Sequence, residues 1–182
     1  MLLNQELPIF NLLEKLNLFP RRSVERAAFA LIATEQDGER QYLLQWNPKW
    51  QCYNFIGGKV EEEGEDKNDF ARAIRREIKE EMGIELEKLL IEHEIKQVRL
   101  WQFSQREKRM KPYLFSIFEI RFFPNLPVER QMITRALRWL SSKHENIYVS
   151  SKEIMNLCTN SGKPISKTVK RILLELGEIK QS

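Results

Sequence analysis

The sequence has little of what usually marks a chemistry at a glance. Its 182 residues include two cysteines, Cys52 and Cys158, which form neither a CxxC pair nor a disulfide framework. Two histidines, His93 and His144, are too few for a His-rich zinc site, and no HExxH or GxSxG run is present. Both histidines are expected to be structural or exposed. Seven glycines and seven prolines exclude collagen-like, low-complexity and broadly disordered chains. The longest unbroken apolar run, Ala27 to Ala33, falls far short of a bilayer span. The start, Met1-Leu2-Leu3-Asn4-Gln5-Glu6, lacks the basic and then apolar pattern of a secretory signal. These absences point to a soluble cytoplasmic protein. An excess of one charge is missing too: thirty Lys and Arg against twenty-six Asp and Glu leave +4, which does not demand a nucleic-acid partner. With only two histidines and no nucleophile elbow, carboxylates must carry most of any chemistry.

Hydrophobic residues make up 42% of the chain, enough to bury a sizeable core in one domain with a small appendage. Ile9, Leu12, Leu13 and Leu16 stand at helical spacing before Pro20 and predict a short N-terminal helix packed on the core. Arg26 to Thr34 reads as a buried strand, Asp37-Gly38 as a hairpin turn and Tyr42 to Trp46 as the return strand. After the loop Asn47-Pro48-Lys49, a short strand over Asn54 to Ile56 runs into Gly57-Gly58. Residues 68–82 are strongly helical, with Gly83 at the C-cap position. Glu94 to Phe103 and Tyr113 to Phe122 read as strands joined by a basic loop. Pro124 to Pro127 reads as a turn and Ala136 to Leu140 as a further strand. Ser150 and Glu153 fit a capping box opening a helix over 151–158, and a last helix is expected over Lys167 to Leu176. The order predicts an α/β fold with a mixed sheet covered by helices. It divides into an N-terminal helical segment (1–20), a main domain (21–145) and a C-terminal helical extension packed on that domain (146–182).

The informative stretch is the helix and what precedes it. At ~100° per residue, Ala71, Ile74, Ile78 and Met82 share one stripe that faces the core. Glu81 falls inside the apolar arc, Glu77 at its edge and Glu80 just beyond. A plain surface helix sets its acids opposite the apolar stripe. Half-buried carboxylates this close repel one another and are costly to desolvate. A divalent cation removes both penalties, and oxygen donors at i, i+3 and i+4 suit magnesium or manganese better than zinc. The ordinary alternative is a solvated acidic face with Arg76 paired to Glu80 one turn on.

Upstream context favours the cation. The chain resembles the Nudix hydrolases, whose signature reads G-x5-E-x7-R-E-U-x-E-E-x-G-U with U aliphatic. Gly58, Glu65, Arg76, Glu77, Ile78, Glu80, Glu81, Gly83 and Ile84 supply it in order, and Arg76 through Ile84 match without a gap. The Gly58–Glu65 spacing is one residue longer than the signature and Glu65–Arg76 three longer. The extra residues either lengthen the helix at its N-terminus or enlarge the loop before it, with Asp66 or Asp69 as the cap. The resemblance implies an α/β/α sandwich and a magnesium- or manganese-dependent hydrolase. Such an enzyme cleaves the pyrophosphate bond of a nucleoside diphosphate linked to another moiety. It implies Glu77 and Glu81 as main metal ligands, Glu80 as a further ligand, and the Gly57 carbonyl as another. Arg76 would orient the carboxylates, with Glu65 as its expected partner, and Gly58, Glu65 and Gly83 would shape the motif. Glu77 or Glu107 are candidates for the base, although Glu107 reads more simply as a solvated loop residue. Lys59, directly after the glycines, is a candidate for binding substrate. A catalytically weak Nudix-fold nucleotide-binding or regulatory domain is the alternative.

Outside the motif, Lys96 to Lys111 holds six basic residues against one acid, with Trp101 and Phe103 interleaved. This reads as an exposed hairpin with core aromatics before it reads as a polyphosphate or base site. Trp46, Trp50 and Tyr53 suit a base pocket or the core equally well. The apolar stripe Ile165, Val169, Ile172, Leu173 and Leu176 makes a packed helix a simpler account of the C-terminal segment than a helix-turn-helix nucleic-acid module. The expected partner is a small-molecule nucleotide, with neither membrane nor nucleic acid; a homodimer is left open.

Overall fold

The computed structural model describes residues 24–82, 90–104, 107–122 and 145–180. The N-terminal helix, the Gly83 cap, the 124–127 turn and the 136–140 strand expected from the sequence lie outside the described residues. Strand β1 (Glu25–Leu31) is followed by β2 (Ala33–Gln36), β3 (Glu39–Asn47), β4 (Cys52–Asn54) and β5 (Ile56–Lys59). Then come helix α1 (Phe70–Met82), strands β6 (Leu90–Ser104), β7 (Arg109–Phe122) and β8 (Asn146–Ser150), and helices α2 (Ser151–Asn156) and α3 (Lys167–Leu176). The expected strand over Arg26 to Thr34 is two strands in two sheets. The hairpin at Asp37-Gly38 forms, with both residues at positive φ.

The larger sheet runs β5-β1-β7-β6, and β1 lies parallel to β7 from Glu25↔Tyr113 to Leu31↔Glu119. The smaller sheet has the order β2-β3-β4, with β8 pairing the other side of β3. One parallel pairing among antiparallel ones makes the larger sheet mixed, and helices cover it, as in an α/β/α sandwich.

Alternation along β1 sorts its side chains between two cores. Ala27, Phe29 and Leu31 join an aromatic-rich cluster with Tyr42, Leu44, Tyr53 and Phe115. Ala28 and Ala30 face the other way and pack with Leu43, Ile56, Val60 and the apolar side of α1. Two alanines on this side let the helix lie close to the strand. The buried residues of α1 are Phe70, Ala73, Ile74, Ile78 and Met82, so Ala73 rather than Ala71 completes the stripe.

The C-terminal segment is woven into the aromatic core. Strand β8 extends the smaller sheet, and α3 buries Val169, Ile172 and Leu173 against it. Ser150 and Glu153 form the capping box of α2, which ends at Asn156 before the left-handed Leu157. Tyr53 fastens the segment at both ends of its own peptide: its N–H donates to the Pro164 carbonyl and its carbonyl accepts from Ser166, both at 2.9 Å.

Candidate functional site

The residues between β5 and α1 form a loop, not an extra helical turn. Lys67 and Asn68 stand at positive φ, a conformation that ends any helix, so α1 starts only at Phe70. Asp69 caps it: its Oδ1 accepts from the amides of Ala71 and Arg72 at 2.7 and 3.0 Å. The three additional residues therefore enlarge the loop. Arg26 ties the loop down from β1. Its guanidinium donates to the Asn68 carbonyl at 2.9 Å and to the Asn68 side-chain oxygen, and lies 4.2 Å from the Phe70 ring centroid.

The enlarged loop changes the partner of Arg76. Glu65 is exposed, and Asp66, fully buried, takes the position expected of it. Arg76 Nε donates to Asp66 Oδ1 at 3.0 Å and Nη2 to Oδ2 at 2.9 Å, a bidentate pair. The Glu61 amide donates to the same Oδ2 at 2.9 Å. Although burial opposes ionisation, the Arg76 guanidinium and the Glu61 amide together hold the Asp66 carboxyl below its ordinary value. The expectation for Glu65 is thus corrected by one position: an inserted residue turns Glu65 to solvent and Asp66 inward. An aspartate directly after the expected glutamate was the available signal.

Arg76 also reaches Glu77 Oε1 at 2.9 Å, Glu80 Oε2 at 3.2 Å and the Lys59 carbonyl at 3.1 Å. One guanidinium therefore serves three carboxylates. Glu80, 58% exposed, projects outward, whereas Glu77 is 13% exposed. Burial raises the Glu77 carboxyl against the pull of Arg76. Burial also dominates at Glu81, whose carboxyl is pushed up to about 7 despite a 2.9 Å hydrogen bond from the Gly57 amide to its Oε2. Glu77 and Glu80 push it the same way.

Two glycines let the strand meet these carboxylates. Gly57 has φ +131°, and a Cβ there would run into the Ala28 carbonyl oxygen. A Cβ on Gly58 would run into the Glu77 carboxylate. Gly57, Gly58, Arg76, Glu77, Glu80 and Glu81 are thus brought together. Gly83 lies outside the described residues. The donor set is all oxygen, partly buried and short of positive charge, which fits a hard divalent cation. Among the described residues, no three His, Cys, Asp or Glu side chains stand close enough together to hold a metal ion as they are placed.

The remaining candidates have partners of their own. Lys59 Nζ pairs with Glu25 at 3.0 Å, beside the cluster through its own carbonyl. Glu107 pairs with Lys111 and Arg109, and these cations hold its carboxyl below the ordinary value. The buried Lys111 also reaches Glu25 at 2.6 Å. In the basic stretch, Lys96 donates to the Glu175 carbonyl at 2.6 Å. Trp46 and Tyr53 meet edge to face in the aromatic core, and Trp50 is exposed. His93 is exposed. No described helix is long and apolar enough to cross a membrane.

A family model described as NUDIX domain matches residues 24–158. No curated protein matches the sequence. Among solved structures, NrtR from Shewanella oneidensis is 11% identical with a TM-score of 0.54, over 84% of this chain and 61% of that one. The present chain thus spans less than two thirds of NrtR, which has also been solved with a 27mer DNA. An Ap4A hydrolase binary complex from C. elegans is 15% identical with a TM-score of 0.51, over 85% and 96% of the two chains. The MutT protein from Methanosarcina mazei Go1 is 16% identical with a TM-score of 0.50, over 88% and 97%. At such identities the likeness is one of fold.

Proposed function

The chain belongs to the Nudix family, and from that premise we propose that it hydrolyses the pyrophosphate bond of a nucleoside diphosphate linked to another moiety, with magnesium or manganese. The observation that carries this reading is the Glu77–Glu81 pair. Two partly buried carboxylates are both raised by burial; the guanidinium of Arg76 pairs with Glu77, Asp66 and Glu80, while Glu81 accepts from the Gly57 amide. Such a cluster is under-neutralised as it stands.

Glu77, Glu81 and Glu80 would hold the ion, with the Gly57 carbonyl as a further oxygen. Such an ion neutralises phosphate charge and eases formation of a nucleophilic water. The chain's own residues do the positioning. Arg76, locked by buried Asp66, fixes the near oxygen of Glu77. The Gly57 amide fixes Glu81. Glu80, 58% exposed, has room to turn from Arg76 toward the ion. Of the two candidates for a proton acceptor, Glu77 stands in the cluster, whereas Glu107 is paired with Lys111 and Arg109 away from it. Lys59, 68% exposed beside the cluster, is a candidate for the substrate's phosphates. The substrate would be a small nucleotide in solution.

The test is turnover of a panel of nucleotides, nucleotide sugars and dinucleotides with and without magnesium. Glu81→Gln and Glu77→Gln are each expected to lower activity at least a hundredfold, with unchanged circular dichroism. Activity retained in both variants overturns the assignment. Saturable nucleotide binding with no hydrolysis of any member would instead favour a nucleotide-binding or regulatory domain.

A further inference from the structure

Three amide side chains stand in a row across the smaller sheet. The strand registers set Asn146 of β8 opposite Gln45 of β3, and Gln45 opposite Asn54 of β4. Side-chain alternation places them on one face. Tyr42, Leu44 and Trp46 of β3 point into the aromatic core, as do Tyr53 of β4 and Ile147 and Val149 of β8. Leu43 points into the core beneath α1, so Gln45, two residues on, shares the α1 face with Asn146 and Asn54.

Gln45 and Asn54 are buried, Asn146 is partly buried, and the row is incompletely bonded. Gln45 is 5% exposed and Asn54 4%. Gln45 Nε2 and both polar atoms of the Asn146 amide are shielded from solvent and find no hydrogen-bond partner among the described residues. Asn54 Oδ1 is satisfied by the Phe55 amide at 3.0 Å. Buried amides left unbonded are rare in folded chains and mark a place where another group belongs. Beside them Tyr148, opposite Leu43, is 39% exposed on β8, which has no second strand neighbour among the described residues.

We propose that Gln45 and Asn146 recognise the hydrogen-bonding edge of the substrate's nucleobase, with Tyr148 as the ring beside it. This rests on the reading of the chain as nucleotide-directed and adds which part of the ligand is read, and where. An amide offers a donor pair and an acceptor side by side, the complement of a nucleobase edge. The distance suits the rest of the molecule. Asn54, one strand from Gln45 and two from Asn146, stands four residues from Gly58 along β4 and β5, roughly 13 Å at ~3.3 Å per residue, and Gly58 abuts Glu77. A base at the amides, a sugar, and phosphates at the carboxylates bridge such a span.

The experiment titrates the four common nucleoside monophosphates, and ribose 5-phosphate as the control without a base, into the full chain with and without magnesium. At least one nucleotide is expected to bind ten times more tightly than ribose 5-phosphate. Gln45→Leu and Asn146→Leu should each erase that preference, leave ribose 5-phosphate binding as it was, and raise the melting temperature, since an unbonded buried amide is gone. Gln45→Glu, the same shape with the donor replaced by an acceptor, should change which base is preferred. Equal binding of nucleotides and ribose 5-phosphate by the wild type overturns the proposal. So does a preference that survives both leucine variants, whether or not the melting temperature rises; that result would assign the amides to a bridging water. Base preference without hydrolysis would leave this inference standing while the hydrolase reading fails.

Discussion

The two faces of β1 are built from alternate residues of one strand, yet they are stabilised in different ways. On one face Phe29 stacks on Phe115 with centroids 5.3 Å apart, and the polar groups among the aromatics are matched. Tyr53, its hydroxyl raised by burial and by Glu145, donates to Glu145 at 2.6 Å, and Lys163 closes the group on Glu145. On the other face Ala28 and Ala30 bring α1 close, and the polar groups at its margin are under-neutralised carboxylates. Matched groups on one face and unmatched ones on the other separate a region that holds the fold from one arranged for something that binds.

Substitutions test that division, beginning with the most damaging. Asp66→Asn removes a fully buried charge facing Arg76 and should destabilise by about 3–5 kcal/mol. The equivalent change at exposed Glu65 should stay within about 0.5 kcal/mol. Chemical denaturation of both variants decides which residue is the partner of Arg76. Acid sharpens the same contrast. Folding lowers the Asp66 carboxyl, so its contribution is present above the unfolded value of 3.8 and is lost as pH falls through the folded value. The gap in stability between wild type and Asp66→Asn should therefore narrow with acidification below pH 3.8.

Next in size, Ile172→Ala empties a fully buried position in the aromatic core. It should cost about 2–5 kcal/mol by denaturant melts, with metal binding per folded molecule unchanged. Gly57→Ala forces a Cβ toward the Ala28 carbonyl at φ +131° and should cost about 1–3 kcal/mol. Because Gly57 also holds Glu81, this variant should weaken magnesium affinity in calorimetric titration, which the core variant should not. Smallest of all, Lys163→Ala breaks a half-exposed pair with Glu145 and should cost less than about 1 kcal/mol. A larger loss there would mean that the aromatic face leans on its polar tie more than on packing.

Much of this was legible in the sequence because it is local. Helical periodicity put Glu81 within the apolar arc and Glu77 at its edge, and α1 carries them so. Asp37-Gly38 turned the first hairpin, and Ser150 with Glu153 capped α2. The stripe from Ile165 to Leu176 foretold a packed helix. Other features depend on residues far apart in the chain. Nothing in the spacing of Arg26 and Lys111 says that their strands, β1 and β7, run parallel, or that Lys111 will reach Glu25. Trp46 and Tyr53 were open between pocket and core until the sheet faces were fixed.

The sequence by itself determined the residue types and their short-range periodicity, and with them the carboxylate fan of α1 and the glycines that let a strand approach it. Only the tertiary structure decided that Asp66 replaces Glu65 beside Arg76, and that Asn146, Gln45 and Asn54 fall into one row. Helix periodicity is set by hydrogen bonds between residues four apart, whereas loop path and strand register are set by which distant surfaces bury together.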